Sequence, residues 1–343
     1  MKLAVILFNL GGPDSLAAVE PFLRNLFSDP AILPFPSVVR VPLAWWIARR
    51  RAPVAREIYA KLGGSSPILK ETEAQASALD EMLKARGIEG RSFIAMRCWH
   101  PFSDAAAKAV REWGADRIVL LPLYPQFSMT TTASSLSDWD RAARSAQLAR
   151  TTSRICCYPD HPGFISAQVE LIQRALTGAK PDVNYRLLLS AHGLPKRTIA
   201  GGDPYQWQVE RSARVIVERL GIAGLDWTVC YQSRVGRLEW IGPSTDDEIR
   251  RAGTDGKGVI VAPIAFVSEH SETLVELDME YAHLARTSGV PDYIRASTVG
   301  THPDFIAALA DMVLQAAQAP TTVSGAGARL CPARFAVCPC GRV

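Results

Sequence analysis

The chain has no apolar run of the roughly 18–20 residues that a bilayer span takes. Its nearest candidate, "VVRVPLAWWIARRR", is broken by Arg40 and Pro42. It also lacks a strong charge imbalance. Its 38 Lys and Arg stand against 34 Asp and Glu, a net charge of +4. That basic excess is too small to point to a nucleic-acid partner. A secretory leader is not expected either. The apolar run in "MKLAVILFNLGGP" is short, and no small-residue cleavage site follows. These absences lead to the expectation of a cytoplasmic protein, whose seven cysteines are kept reduced. What is present is an ordered globular composition, 48% hydrophobic and 21% charged. At 343 residues, the chain is too long for one ordinary core and suggests two lobes.

The two lobes are legible as a repeat. "LAVILFNLGGP" and "YRLLLSAHGLP" are each an apolar strand running into a Gly/Pro loop. "RSFIAMRCWHP" pairs with "DWTVCYQSRVG". "DRIVLLPLYPQFS" pairs with "KGVIVAPIAFVSEH", with Pro122 and Pro263 in equivalent places. Helical patterns over 67–86 and 205–220 lie between strands. This rhythm predicts an α/β fold of two similar Rossmann-like domains with parallel sheets. The expected domains are 1–150 and 151–305. A terminal helix over 303–319, a small-residue linker and a cysteine-bearing tail, together 320–343, follow. In such sheets ligands bind beyond the carboxyl ends of strands, which puts the loops after each strand at a cleft.

Two of those loops carry the candidate chemistry. "SAHGLP" places His192 directly after a strand, with a glycine beside it to clear space. The plainer alternative is a loop histidine capping a carbonyl. "FVSEHSETLVELDMEYAH" (266–283) holds Glu272, Glu276 and Glu280 at i, i+4 and i+8, flanked by His270 and His283. Like charges at that spacing cost an isolated helix about 0.2–0.5 kcal/mol per pair. On an α-helical wheel they lie opposite Leu274, Leu277 and Tyr281. A water-facing acidic face is therefore one reading, and a file of ligands for a borderline divalent cation is the other. Imidazole with carboxylate suits Fe(II), and without thiolates it can release the ion again. The insertion over 34–66 joins Trp45 and Trp46 to Arg40, Arg49, Arg50 and Arg51. It reads as a membrane-surface or pocket-lining segment, or as an ordinary pair of surface helices.

Taken together, "LFNLGGPDS", "YAKLGGSSPILKET", "RCWHPF", "LPLYPQFS…TTASSL", "LLLSAHGLPKR", "DPYQWQVE", "CYQSRVG…WIGPST", "APIAFVSEHSETLVELDMEY" and "DFIAAL" resemble the ferrochelatase family, in family order from about residue 3 to 310. The resemblance implies a chelatase fold without a dinucleotide and a porphyrin cleft between the domains. It implies insertion of Fe2+ into protoporphyrin IX, giving protohaem and two protons as the last step of haem synthesis. The family's histidine and glutamate map to His192 and Glu272, the pair that contacts the metal and does the chemistry. His270, Glu276 and Glu280 map to an acidic path for cations or protons on an unwound helix. Leu10, Tyr124, Phe127, Ser128 and Tyr231 fall at porphyrin-facing positions. Leu10 stands where some relatives have Met, and Tyr231 where some have Trp. The 34–66 insertion resembles the family's hydrophobic lip, so peripheral contact with the inner face of a membrane is compatible with a cytoplasmic location.

The tail adds a second expectation. Cys331, Cys338 and Cys340 resemble the C-terminal ligands of ferrochelatases that carry a 2Fe–2S cluster. Three close thiolates in a reducing compartment favour metal over a disulfide. Met129 stands where some relatives place the fourth cysteine, so Cys157, or its neighbour Cys156, is the expected substitute. A zinc site or an idle tail are the alternatives. For the whole chain, the other readings are a chelatase for coproporphyrin or a cobalt tetrapyrrole, and a non-catalytic porphyrin- or haem-binding protein.

Overall fold

The computed structural model describes residues 1–234, 236, 238–318 and 321–340. Two compact units emerge: Met1–Cys157 with Leu309–Leu330 and Pro339–Val343, and Tyr158–Ala308 with Cys331–Cys338. Nine strands are described: β1 Leu3–Asn9, β2 Gly90–Met96, β3 Arg117–Pro122, β4 Thr151–Ile155, β5 Tyr185–His192, β6 Asp226–Gln232, β7 Gly258–Pro263, β8 Tyr293–Arg295 and β9 Thr322–Val323.

The first unit holds a sheet in the order β2-β1-β3-β4-β9, and the second one in the order β6-β5-β7-β8. Every pairing within both sheets is parallel. The repeat seen in the sequence is thus a repeat of topology. β1 and β5 are interior strands, β2 and β6 flank them on one side, β3 and β7 on the other. Pro122 and Pro263 each end the third strand of their sheet. β1 is buried along its whole length. Such continuous apolar strands fit parallel sheets covered on both faces.

In the first unit Ala4, Ile6 and Phe8 pack with Phe93, Leu120 and Trp139. In the second, Leu188, Val259 and Val261 pack with Ile249, Leu277 and Tyr281. That packing fixes the segment carrying the glutamates against the sheet.

Three elements differ from expectation. The insertion forms one helix, Ser37–Lys61, with Pro42 and Pro53 inside it, rather than a pair. Its Ala44, Ala48 and Ala52 are buried at four-residue spacing, letting it approach the helix Val19–Phe27 closely. Small residues on the inner face leave its large apolar residues outside. The linker after the last helix contributes β9, where Arg154 and Ile155 pair with Thr322 and Val323. Two residues carry no readable periodicity, so only the pairing defines that strand. The last helix itself spans Pro303–Ala316, and Ala319, where the expected helix ends, lies outside the described residues.

Candidate active site

β5 ends at His192, and its neighbour β6 ends at Gln232. The two residues are register partners, as are Ala191 and Tyr231. β7 leads through residues 264–271 into a π-helix over Glu272–Tyr281. A π-helix winds with i→i+5 bonds and is frequent at functional sites. Thr273, Val275, Leu277 and Tyr281 are its buried residues. Leu274, expected in the apolar stripe, is only half-buried.

The glutamate column is divided by this winding. Glu272 Oε2 lies 2.8 Å from His192 Nδ1 and 3.9 Å from His270 Nε2. Glu276 turns to the end of β6. It accepts from Gln232 Nε2 at 3.1 Å, from Ser233 N–H at 2.8 Å and Oγ at 2.5 Å, and from Tyr281 OH at 3.1 Å. Glu280 and His283 are exposed. So neither sequence reading holds for the whole column: two carboxylates face the strand ends and the third faces outward.

The electrostatics follow from burial and neighbours. Burial pulls the His192 imidazole down, but the Glu272 carboxylate and its hydrogen bond, helped by Glu276, outweigh it and raise its pKa. Burial pushes the Glu272 carboxyl up, but His192, then His270, hold it well below the usual range. His270 is lowered by burial and stays neutral at pH 7. Its Nδ1 lies 3.0 Å from the Ser268 carbonyl, which can only accept, so the proton sits on Nδ1. Glu276 is raised, by burial first and by the Glu272 charge second. Two imidazoles and two carboxylates therefore carry different protonation tendencies, an arrangement suited to separating the roles of base and ligand.

The cluster is held by residues that sequence reasoning did not single out. Gln232 is fully buried. Its amide donates to the Glu272 carbonyl at 3.0 Å as well as to Glu276, while its oxygen accepts from Ser190 Oγ at 2.8 Å. The Gly193 N–H donates to the Gln232 carbonyl at 2.8 Å. A Cβ on Gly193 would stand 2.9 Å from that oxygen, so the glycine beside His192 permits the close approach. "CYQSRVG" occupies after β6 the place "SAHGLP" occupies after β5. That equivalence was the available signal for Gln232 and Ser233. Glu269 was also missed. It pairs with Arg295 at 3.0 Å and accepts from Thr298 N–H, fixing the chain just ahead of the π-helix.

The five expected porphyrin positions divide by burial. Leu10 and Tyr124 are half-buried, while Phe127, Ser128 and Tyr231 are buried. The Tyr231 hydroxyl has no hydrogen-bond partner among the described residues. The tail thiols Cys331, Cys338 and Cys340 are buried, as are Cys156 and Cys157, whose sulfurs lie 3.5 Å apart. Cys331 Sγ accepts from Gln208 Nε2 at 3.0 Å. Among the described residues, no group of three or more His, Cys, Asp or Glu is set out as a metal cage. None of the described helices is long and apolar enough to cross a membrane.

The ferrochelatase family model matches residues 2–317. The chain is 52% identical to a ferrochelatase of Caulobacter vibrioides (strain NA1000 / CB15N), covering 99% of this chain and 97% of that one. It is 52% identical to a ferrochelatase of Phenylobacterium zucineum, over 99% and 98% of the two chains. A ferrochelatase of Pelagibacter ubique is 48% identical over 99% of each. Among solved structures, SirB from Bacillus subtilis with Fe3+ shares the fold, with a TM-score of 0.53 at 17% identity, covering 92% of this chain and 96% of that one. The parallel strand order, the His192–Glu272 pair at the strand ends and these full-length matches agree: the chain belongs to the ferrochelatase family.

Proposed function

We infer that the chain inserts Fe2+ into protoporphyrin IX, giving protohaem and two protons, the last step of haem synthesis. The single observation that carries the residue roles is the 2.8 Å contact of His192 Nδ1 with Glu272. A carboxylate there keeps the first proton on Nδ1 and leaves Nε2 of the neutral ring with its lone pair. His192 Nε2 takes a pyrrole N–H proton, and Glu272 stabilises the imidazolium that forms. His270, neutral and with Nε2 turned to Glu272, offers with that carboxylate a weak imidazole–carboxylate set for the incoming Fe2+. Few ligands suit an ion that must be handed on. Leu10 and Tyr124 are proposed to meet the porphyrin directly, with Phe127 and Ser128 shaping the loop after β3 and Tyr231 the end of β6. The test is anaerobic metalation of protoporphyrin IX with Fe2+. His192→Ala should lose turnover while still quenching porphyrin fluorescence on binding. Full turnover in that variant sinks the assignment.

A 2Fe–2S cluster held by Cys331, Cys338 and Cys340, with Cys157 or Cys156 as fourth ligand, is the finer part of the proposal. Its support is the donor chemistry: buried thiols, one already accepting an amide N–H as cluster sulfurs do. When bound, the cluster supplies one-electron redox chemistry, and metal insertion, which leaves iron ferrous, has no step that needs it. Peripheral membrane contact is proposed for the helix Ser37–Lys61, within a cytoplasmic location. Val38, Trp45 and Trp46 are exposed on it, and Arg49 and Arg50 lie 5.4 and 5.6 Å from the Trp45 and Trp46 rings. An apolar face with tryptophans and arginines suits a headgroup boundary.

A further inference from the structure

Family resemblance placed Glu276 on a path for cations or protons, and its contacts point elsewhere. A carboxylate offers about four lone-pair positions. All four are taken here. Ser233 N–H and Tyr281 OH reach Oε1, and Gln232 Nε2 and Ser233 Oγ reach Oε2. No position is left for a passing ion while those bonds stand. The donors come from two places, the end of β6 and the last residue of the π-helix. Ser233 has φ +60°, a left-handed conformation that a side-chain-bearing residue adopts at a cost. In that conformation both its N–H and its hydroxyl aim at Glu276. Gln232 completes the brace, since the same amide nitrogen also holds the Glu272 carbonyl and its oxygen is held by Ser190 on β5.

We propose that Glu276 is a positioning residue: its carboxylate clasps Ser233 and Gln232, pins the π-helix to the end of β6, and thereby holds Glu272 against His192. The proposal rests on His192 and Glu272 being the reacting pair. The clasp accounts for a half-buried carboxylate beside a second carboxylate, because each of its lone pairs is matched by a donor. It also accounts for the winding. Leu277 and Tyr281 dock on the sheet, while Glu276, just before Leu277, is drawn towards β6.

The test combines Fe2+ metalation kinetics with amide hydrogen exchange on the full-length protein. Variants are Ser233→Ala, Glu276→Ala, Glu276→Gln and the Ser233→Ala/Glu276→Ala double. A clasp predicts that each alanine variant lowers kcat by between about 10- and 100-fold, the usual cost of a misplaced reacting group. KM for Fe2+ changes alike in Ser233→Ala and Glu276→Ala, since both displace the same Glu272 carboxylate. The double variant is no worse than the weaker single, and amides of 272–281 exchange faster in all three. Glu276→Gln keeps two acceptor bonds and loses less than Glu276→Ala; it also serves if the alanine variant does not fold. A large rise in KM for Fe2+ in Glu276→Gln, with Ser233→Ala unaffected, overturns the clasp in favour of a charge path. Wild-type exchange over 272–281 in the alanine variants also overturns it, whatever His192→Ala does. An active His192→Ala alongside faster exchange removes the reacting pair instead, so the two failures are distinguishable.

Discussion

Replacing Glu272 by Gln removes one charge from the proposed reacting pair while keeping its volume, and the consequence for stability has a defined pH signature. A hydrogen bond to a charged group contributes about 1.5–3 kcal/mol. Here the His192 and Glu272 side chains are 36% and 28% exposed. Solvent screening brings the expected loss down to about 1 kcal/mol. The direction with pH follows from linkage. His192 has a raised pKa in the fold, so its contribution is present below the ordinary value of 6.5 and is lost as pH rises through the raised one. Glu272 has a lowered pKa, so its contribution is present above the ordinary value of 4.5 and is lost as pH falls through the lowered one. The pair therefore stabilises most between 4.5 and 6.5. Urea unfolding followed by circular dichroism should show wild type exceeding Glu272→Gln by about 1 kcal/mol near pH 5.5, and by less than about half of that near pH 8.5. A difference that is equal or larger at the alkaline pH refutes the ion pair. It would mean that the Glu272 carboxylate acts as acceptor for the neutral His192 ring rather than as the partner of an imidazolium.

Other expectations are simpler. Gly253→Ala would put a Cβ 2.0 Å from the Ser288 carbonyl oxygen. The turn at Ser288 must move, so thermal unfolding should report a loss of about 1–3 kcal/mol. Cys338→Ser should lose the visible absorbance of a red-brown, anaerobically purified protein. Cys98→Ser should keep it, because Cys98 packs in an apolar cluster with Val19, Phe22 and Tyr59 that contains none of the tail cysteines. Colour unchanged in Cys338→Ser would remove the cluster assignment. Replacing Trp45 and Trp46 together by Ala should weaken co-sedimentation with anionic phospholipid vesicles several-fold; unchanged sedimentation excludes the helix Ser37–Lys61 as the contact.

Much of the fold was legible because buried parallel strands are written locally, as short apolar runs closed by Gly, Pro or polar loops. The internal repeat then fixed which strands correspond, and the two sheet orders repeat that correspondence. His192 was legible for the same reason: it is the residue on which an apolar strand ends. Glu272 was harder, because an α-helical wheel placed it on the side opposite the apolar stripe. The π-helix changed the outcome, and nothing in the spacing of Glu272, Glu276 and Glu280 distinguishes the two windings. β9 was hidden because two residues have no period of their own, and its existence depends on β4 offering an edge. Gln232 and Ser233 stood in a motif already quoted, yet an amide and a hydroxyl in a loop become a brace only when a carboxylate arrives.

By itself, then, the sequence determined the six strands β1, β2, β3, β5, β6 and β7, their parallel repeat and the strand-end histidine, since each depends on residues adjacent in the chain. Only the tertiary structure decided which glutamate meets His192, which is clasped and which faces outward. Those fates depend on where Leu277 and Tyr281 dock on the sheet and on donors from β5 and β6, 40 or more positions away. Hydrogen-bond partners that remote leave no local pattern, because their side chains are chosen for a geometry that exists only after the sheet has formed.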